Sequence, residues 1–412
     1  MKFITFQKFS LNHIFFLAYF VISRCRSKLT DSIFELKTQK SGYFFMMYLT
    51  IISHFLSIIP HLIIKYLSRR QTTEKIKRSK NENQLIFNDA DDYKGRGLLR
   101  STLLVSIFDF LADALINIFY FFNDDRKVYS TYTLNTYLIF NTFIQYITSH
   151  LILKTYFYKH HYLSFFINFF CCIITLIIDI IKIADLKVTE YKYYIFVFMR
   201  LIRLTLYGVG DAFSKMALYS AFLSSYSLLL FKALYETTFL IFFSIPFIFI
   251  KTSDLYVNDE SIFIGFKEYL TGIKLLYSIL LFIADFLYDL VLLIIIDKFS
   301  PSHLPLAYIF ESFGFSIYSL IDYANKGRKL SWSLLVQLPI YIILFVGAMI
   351  HNEIIIVNKC ELNLKTKLYL DARFEEEKLN SDLNQEGGEE EEIKQKEENK
   401  RKEIMMQEMQ EN

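Results

Sequence analysis

Apolar residues in this chain come in long runs rather than in alternation with polar ones. Nine segments of about twenty residues or more, at about 43–66, 99–122, 131–153, 161–183, 193–217, 222–250, 272–297, 302–323 and 332–352, are bounded by charged or turn-forming flanks. Runs of this length match the hydrocarbon thickness of a bilayer. Lipid offers backbone polar groups no partner, so each run predicts a transmembrane helix. The period-2 alternation of an outer-membrane barrel is absent. A tenth segment, 5–23, holds the run Ile14-Phe15-Phe16-Leu17-Ala18-Tyr19-Phe20-Val21-Ile22, but Gln7, Lys8, Asn12 and His13 dilute its start. A signal peptide is the alternative there, although no small-x-small cleavage pattern follows before Arg24.

An internal echo favours the tenth span. Asp109-Phe110-Leu111-Ala112-Asp113 recurs as Asp285-Phe286-Leu287-Tyr288-Asp289, and Phe55-Leu56-Ser57-Ile58-Ile59-Pro60 recurs with one residue deleted as Phe242-Phe243-Ser244-Ile245-Pro246. The proline segments become helices 2 and 7 and the aspartate segments helices 3 and 8, so each half holds five spans and 5–23 is helix 1. Five is odd, so the second half enters the membrane from the opposite side, as in inverted-repeat carriers. The expected fold is an all-α polytopic membrane protein of ten transmembrane helices in a 5+5 inverted repeat. It divides at 1–183, 184–355 and a charged, largely disordered tail over 356–412.

Composition agrees with this class. The 412 residues are 53% hydrophobic and 18% aromatic, which soluble domains rarely are. A net charge of only +3 implies no general nucleic-acid role, and four cysteines without a CxxC pair imply neither redox chemistry nor a secreted framework. Phe, Ile and Tyr are so frequent that matches between apolar letters are cheap. The repeated Asp and Pro positions therefore carry the weight. The basic segment 67–97, with Arg69, Arg70, Lys75, Lys77, Arg78, Lys80, Lys94 and Arg96, should be cytosolic, which with ten spans places both termini in the cytosol. Arg24, Arg26, Lys28, Lys37 and Lys40 then fall on the far side, against the rule.

Asp109, Asp113 and Asn117 are four apart and share one face of helix 3, with Ser106 close to it; Asp285 and Asp289 repeat the arrangement on helix 8. A carboxylate at the bilayer centre costs about 2.5 to 3.5 kcal/mol, so these acids should face a watery pathway or a partner. There they can bind a solute or a coupled proton. The alternative is purely structural pairing. Asp211 with Lys215 and Lys232 with Glu236 are spaced to pair within their own helices, which leaves Arg200 and Arg203 as counter-charges for the four aspartates. Arg200, Arg203 and Lys215 are also the candidate anion-binding residues. Glu311 is a further intramembrane acid, standing alone in helix 9. Pro60 and Pro246 withdraw backbone donors and predict bends that can serve as hinges. Gly208-Val209-Gly210 predicts close helix approach or a break and is no phosphate motif. His54 and His61, two turns apart, make a poor metal site, and His160 and His161 sit in a tight turn where headgroup contact is expected. No Walker loop, HExxH or GxSxG is present, so no enzymatic role, cofactor or metal is expected.

The helix 3 opening Ser106-Ile107-Phe108-Asp109-Phe110-Leu111, the hairpin Ser149-His150-Leu151-Ile152-Leu153-Lys154 running into Tyr162-Leu163, and Gly210-Asp211-Ala212-Phe213-Ser214-Lys215 in helix 6 resemble the drug/metabolite transporter superfamily. Within it they are most similar to the solute carrier family 35 and chloroquine-resistance-transporter-like branch. The resemblance covers residues 5–355 and lies more in order and spacing than in letters. It implies a ten-helix carrier of small organic solutes in an endomembrane (Golgi, endoplasmic reticulum or vacuole/lysosome), monomer or homodimer, with helices 3 and 8 lining the pathway and Asp109 in the site. The weak first helix and only 12 glycines depart from the pattern. An acidic pathway favours cationic or amine-like solutes. Nucleotide-sugar or phosphorylated-metabolite exchange through Arg200, Arg203 and Lys215 is the alternative within carriers. A non-transporting scaffold or receptor acting through the tail, whose partner is unknown, is the alternative of another class.

Overall fold

The computed structural model describes residues 4–6, 14–35, 41–64, 66, 91–123, 136–154, 157–185, 191–220, 223–249, 266–325, 332–359, 362 and 366. The basic segment from 67 to 90 and most of the tail lie outside the described residues.

The described chain is almost wholly helical. In chain order the helices are α1 (Ile14–Glu35), α2 (Ser41–Ser53, continued by a 3₁₀ turn over His54–Ser57 and reaching Ile64), α3 (Asp91–Asn123), α4 (Thr136–Leu153) and α5 (Lys159–Asp185). There follow α6 (Tyr191–Ser220), α7 (Ser225–Phe249), a single turn at Phe266–Tyr269, α8 (Gly272–Lys298), α9 (Leu304–Asn325) and α10 (Trp332–His351).

Five of these helices are long and apolar enough to cross a membrane: α2 over Phe44–Ile64, α3 over Arg100–Phe119, α5 over Lys159–Ile181, α7 over Ser225–Pro246 and α8 over Gly272–Lys298. On α5, Phe166, Phe169, Phe170, Ile173, Ile174, Ile177, Ile180 and Ile181 are all exposed. That stripe reverses the pattern of a water-soluble helix and suits contact with lipid. α1 and α6 fall short because of their charges, Arg24, Arg26, Lys28 and Asp31 in one and Arg200, Arg203, Asp211 and Lys215 in the other.

The first helix differs from its expected place at 5–23. It spans Ile14–Glu35, and Ile4–Phe6 is a strand instead. Arg24, Arg26 and Lys28, expected in a flanking loop, are inside α1. α3 begins at Asp91, well before the expected 99.

The chain separates into two compact units. The larger covers Phe9–Phe157 and His161–Asn352 and contains the bundle. α3 runs along α6 over the longest interface in it, and α1 along α8 over the next longest. The two halves of the chain therefore interlock. A central cluster of Tyr19, Leu228, Leu229, Val291, Ile295 and Ala307 joins α1, α7, α8 and α9. Gly272, at φ +58°, opens α8 in a backbone region that side chains other than glycine's resist.

The smaller unit comprises Met1–Lys8, Tyr158–His160 and Glu353–Asn412. In it β1 (Ile4–Phe6) pairs antiparallel with β2 (Ile355–Val357), Thr5 opposite Ile356. His160 is buried with its Nε2 3.2 Å from Glu353 Oε1.

Candidate functional site

Each of the four stripe aspartates meets a basic side chain from another helix. On α3, Asp109 Oδ2 lies 2.6 Å from Lys232 Nζ of α7, and Asp113 Oδ1 lies 3.1 Å from the Arg203 guanidinium of α6. On α8, Asp285 is held by Arg26 of α1 and by Thr50 Oγ1 of α2, which donates at 2.7 Å; Asp289 Oδ2 lies 2.7 Å from His54 Nε2 of α2. One turn of helix separates the acids within each pair, yet they reach different neighbours: α7 and α6 from α3, α1 and α2 from α8.

Glu236 connects the two sets. Its Oε2 is 3.3 Å from His54 Nδ1 and its Oε1 is 3.8 Å from Lys232 Nζ, so a continuous ionic chain runs Asp289, His54, Glu236, Lys232, Asp109. Asp285, Glu236 and Lys232 are 1%, 3% and 7% exposed. Asp211 on α6 is also buried and accepts a hydrogen bond from Gln145 Nε2 at 2.6 Å. The named network thus gathers six carboxyl groups (Asp109, Asp113, Asp211, Glu236, Asp285, Asp289) around four basic ones (Arg26, His54, Arg203, Lys232). Such an excess of acid favours a cation in the site.

Aromatic hydroxyls and rings complete it. Tyr207 donates to Asp113 while Arg203 donates to Tyr207 at 3.0 Å. Arg26 stacks 4.6 Å from the centroid of Tyr288, whose hydroxyl meets that of Tyr19 at 2.5 Å, and Ser23 donates to Glu311. Tyr19, Ser23 and Arg26 are spaced four and three apart, so α1 presents all three on one face. Two local backbone features position the ionic chain. Pro60 has no N–H to bond the Leu56 carbonyl, and the 3₁₀ turn over His54–Ser57, separated from it by two residues, holds His54 beside its two carboxylates. Gly210 packs flush on Asp109: a Cβ there would overlap Asp109 Oδ1.

The counter-charges differ from those expected. Only Arg203 of the arginine pair meets a stripe aspartate; Arg200 stacks on Tyr137 and Phe196. Lys232 prefers Asp109 to Glu236, its partner one turn away, because an ion pair at 2.6 Å outweighs one at 3.8 Å. Lys215 donates to the Asp297 carbonyl at 2.8 Å and not to Asp211. Asn117, expected on the acidic stripe, bonds its own helix through the Asp113 carbonyl at 2.9 Å, as Ser106 bonds Thr102. Pro246 lies inside α7 on an exposed face, three residues from its end, and Glu311 has Ser23 as partner instead of standing alone. His61 bonds Ser227 at 3.0 Å, apart from His54. Among the described residues no three His, Cys, Asp or Glu side chains are arranged to hold a metal ion.

Sequence reasoning missed Arg26 and the bridging role of His54. Arg26 sits between Arg24 and Lys28 and reads as a helix flank. Its three-and-four spacing from Tyr19 and Ser23 was the available signal. The sequence matches no protein-family model and no curated protein.

Proposed function

We propose that this protein is a secondary carrier that moves a small cationic or amine-like solute by alternating access, built as ten spans in a 5+5 inverted repeat of the drug/metabolite transporter type. Its place is an endomembrane, with both termini cytosolic. The observation that carries the reading is the distribution of counter-charges. In a five-plus-five arrangement α1 and α2 are the counterparts of α6 and α7, and α8 is the counterpart of α3. The acid pair of α3 is bound by α6 and α7, and that of α8 by α1 and α2. The two most extensive helix interfaces, α3 with α6 and α1 with α8, are also counterparts. Both facts support a duplicated core with its charges on the internal axis, where carriers bind their solutes.

In this mechanism the excess carboxylates attract a cation, which takes Asp109 or Asp289 from its resident base. The freed base remains beside the surplus carboxylates of the network. Exchange of ion pairs of similar strength keeps the barrier low, since no charge is left uncompensated in a low-dielectric interior. A phosphate-binding reading through Arg200, Arg203 and Lys215 has less support, because these three engage Tyr137 and Phe196, Asp113, and the Asp297 carbonyl respectively.

A second reading, the scaffold acting through its tail, draws on the fact that every stripe aspartate already has a basic partner. Uptake by reconstituted vesicles separates the two. The carrier reading expects uptake of a cationic solute that Asp109→Asn abolishes and that deletion of 375–412 leaves intact. Uptake unchanged in Asp109→Asn removes Asp109 from the site. A cellular function lost only with the tail supports the scaffold.

A further inference from the structure

Glu236 Oε1 is buried and has no hydrogen-bond partner, although an ammonium group stands 3.8 Å away. From this and the surrounding geometry we infer that the space between Asp109 of α3 and Glu236 of α7 is a binding site for a primary ammonium group. Lys232 is its tethered resident, which the solute's own ammonium displaces. The displacement rests on the carrier reading; the binding site rests on the geometry alone.

An ammonium carries three donors and is best held by acceptors within hydrogen-bond distance. Lys232 Nζ satisfies one acceptor, Asp109 Oδ2 at 2.6 Å. It stands 3.8 Å from Glu236 Oε1, beyond hydrogen-bond distance, while it is drawn to Asp109 on α3. The opposite sides of the site are fixed. Gly210 lets α6 press against Asp109 Oδ1, which orients the carboxylate toward α7, and His54 Nδ1 faces Glu236 Oε2 at 3.3 Å, leaving Oε1 as the free acceptor. An untethered ammonium of the same charge and size can approach both carboxylates at once, gaining the charge-assisted hydrogen bond that Lys232 does not make. Quaternary ammonium ions have no N–H donor, so they leave Glu236 Oε1 unsatisfied and are discriminated against.

The test uses the full chain in lipid nanodiscs. Lys232→Ala is unfolded thermally in ethylammonium chloride, tetramethylammonium chloride and sodium chloride at equal ionic strength. The expected result is a rise of several degrees, saturating in the millimolar range, in ethylammonium alone. The rise should be absent in the Lys232→Ala/Asp109→Asn double variant and much smaller in the wild type, whose site is occupied. Equal shifts in the three salts, or none, overturn the proposal. Where Lys232→Ala gives no monodisperse protein in sodium chloride, synthesis in ethylammonium chloride must restore it, and failure to do so overturns the proposal equally. Ethylammonium-specific rescue with no vesicle uptake of any solute keeps the site and removes the carrier reading. Uptake without rescue does the reverse.

Discussion

An aspartate at bilayer depth persists only where its charge is matched, and Asp285 shows what matching requires. At 1% exposure it receives Arg26 and the Thr50 hydroxyl, and the Arg26 guanidinium is itself stacked on Tyr288. Removing one partner strands the other, a loss of about 3 to 5 kcal/mol for a fully buried pair. Arg26 keeps a third of its side chain exposed, which places the expected cost at or below the lower end of that range. Asp285→Ala should therefore lower the thermal unfolding midpoint in detergent well below wild type, while Asp285→Leu combined with Arg26→Met recovers much of the loss. If the single and double variants unfold together, the pair is not what holds α1 to α8. Asp285 was legible in the sequence because an acid in an apolar run stands out. Arg26 was not, because its partner lies 259 residues away and its own neighbours are basic. Local spacing misled in the same way for Lys232, where the four-residue step to Glu236 suggested a pair that a contact across helices outcompetes.

Between residue and bundle, the elements work through small departures from regular helix. The two prolines were equal in the sequence, matched in place and in context. Their surroundings make them unequal. Pro60 follows a 3₁₀ turn that carries His54 into the ionic chain, whereas Pro246 sits on an exposed face near the end of α7. Pro60→Ala should let α2 regularise, turn His54 away from Asp289 and reduce vesicle uptake severalfold, while Pro246→Ala stays close to wild type. Equal effects would restore the idea of two matched hinges. Gly210 tests the α3–α6 interface. Gly210→Val places a branched side chain against Asp109 and should destabilise by about 1 to 3 kcal/mol, as overpacking does. Unfolding unchanged from wild type would show that α6 can back away freely. Both glycines of Gly208-Val209-Gly210 pack closely: a Cβ on Gly208 would overlap Ile144 of α4. The sequence left close approach and a helix break open at that motif, because GxG suits either.

At the scale of the whole molecule, five helices declare themselves by length and apolarity, and the least apparent of the others, α1 and α6, are those that carry the arginines answering α8 and α3. Charge that completes the interior is the charge that hides a span from a hydropathy reading, which is why the first helix was the least legible part of the fold. The strand pair supplies an independent constraint. β1 precedes α1 and β2 follows α10, yet Thr5 pairs with Ile356. Paired strands lie about 5 Å apart and cannot face each other across a hydrocarbon core about 30 Å thick. On the carrier reading proposed above, both segments then emerge on one side of the membrane, and the chain between Phe6 and Ile355 is expected to cross it an even number of times. The proposed ten-span arrangement meets this parity and a nine-span one would not; α1, 22 residues and about 33 Å long at 1.5 Å per residue, is long enough to serve as its first span. Epitope tags before Met1 and after Asn412 should therefore be reached by antibody from the same face in selectively permeabilised cells, both protected or both exposed. Tags found on opposite faces would break the strand pairing and the ten-span count together. With both found on the cytosolic face, the basic segment from 67 to 97 would also lie in the cytosol, two crossings in from the N-terminus.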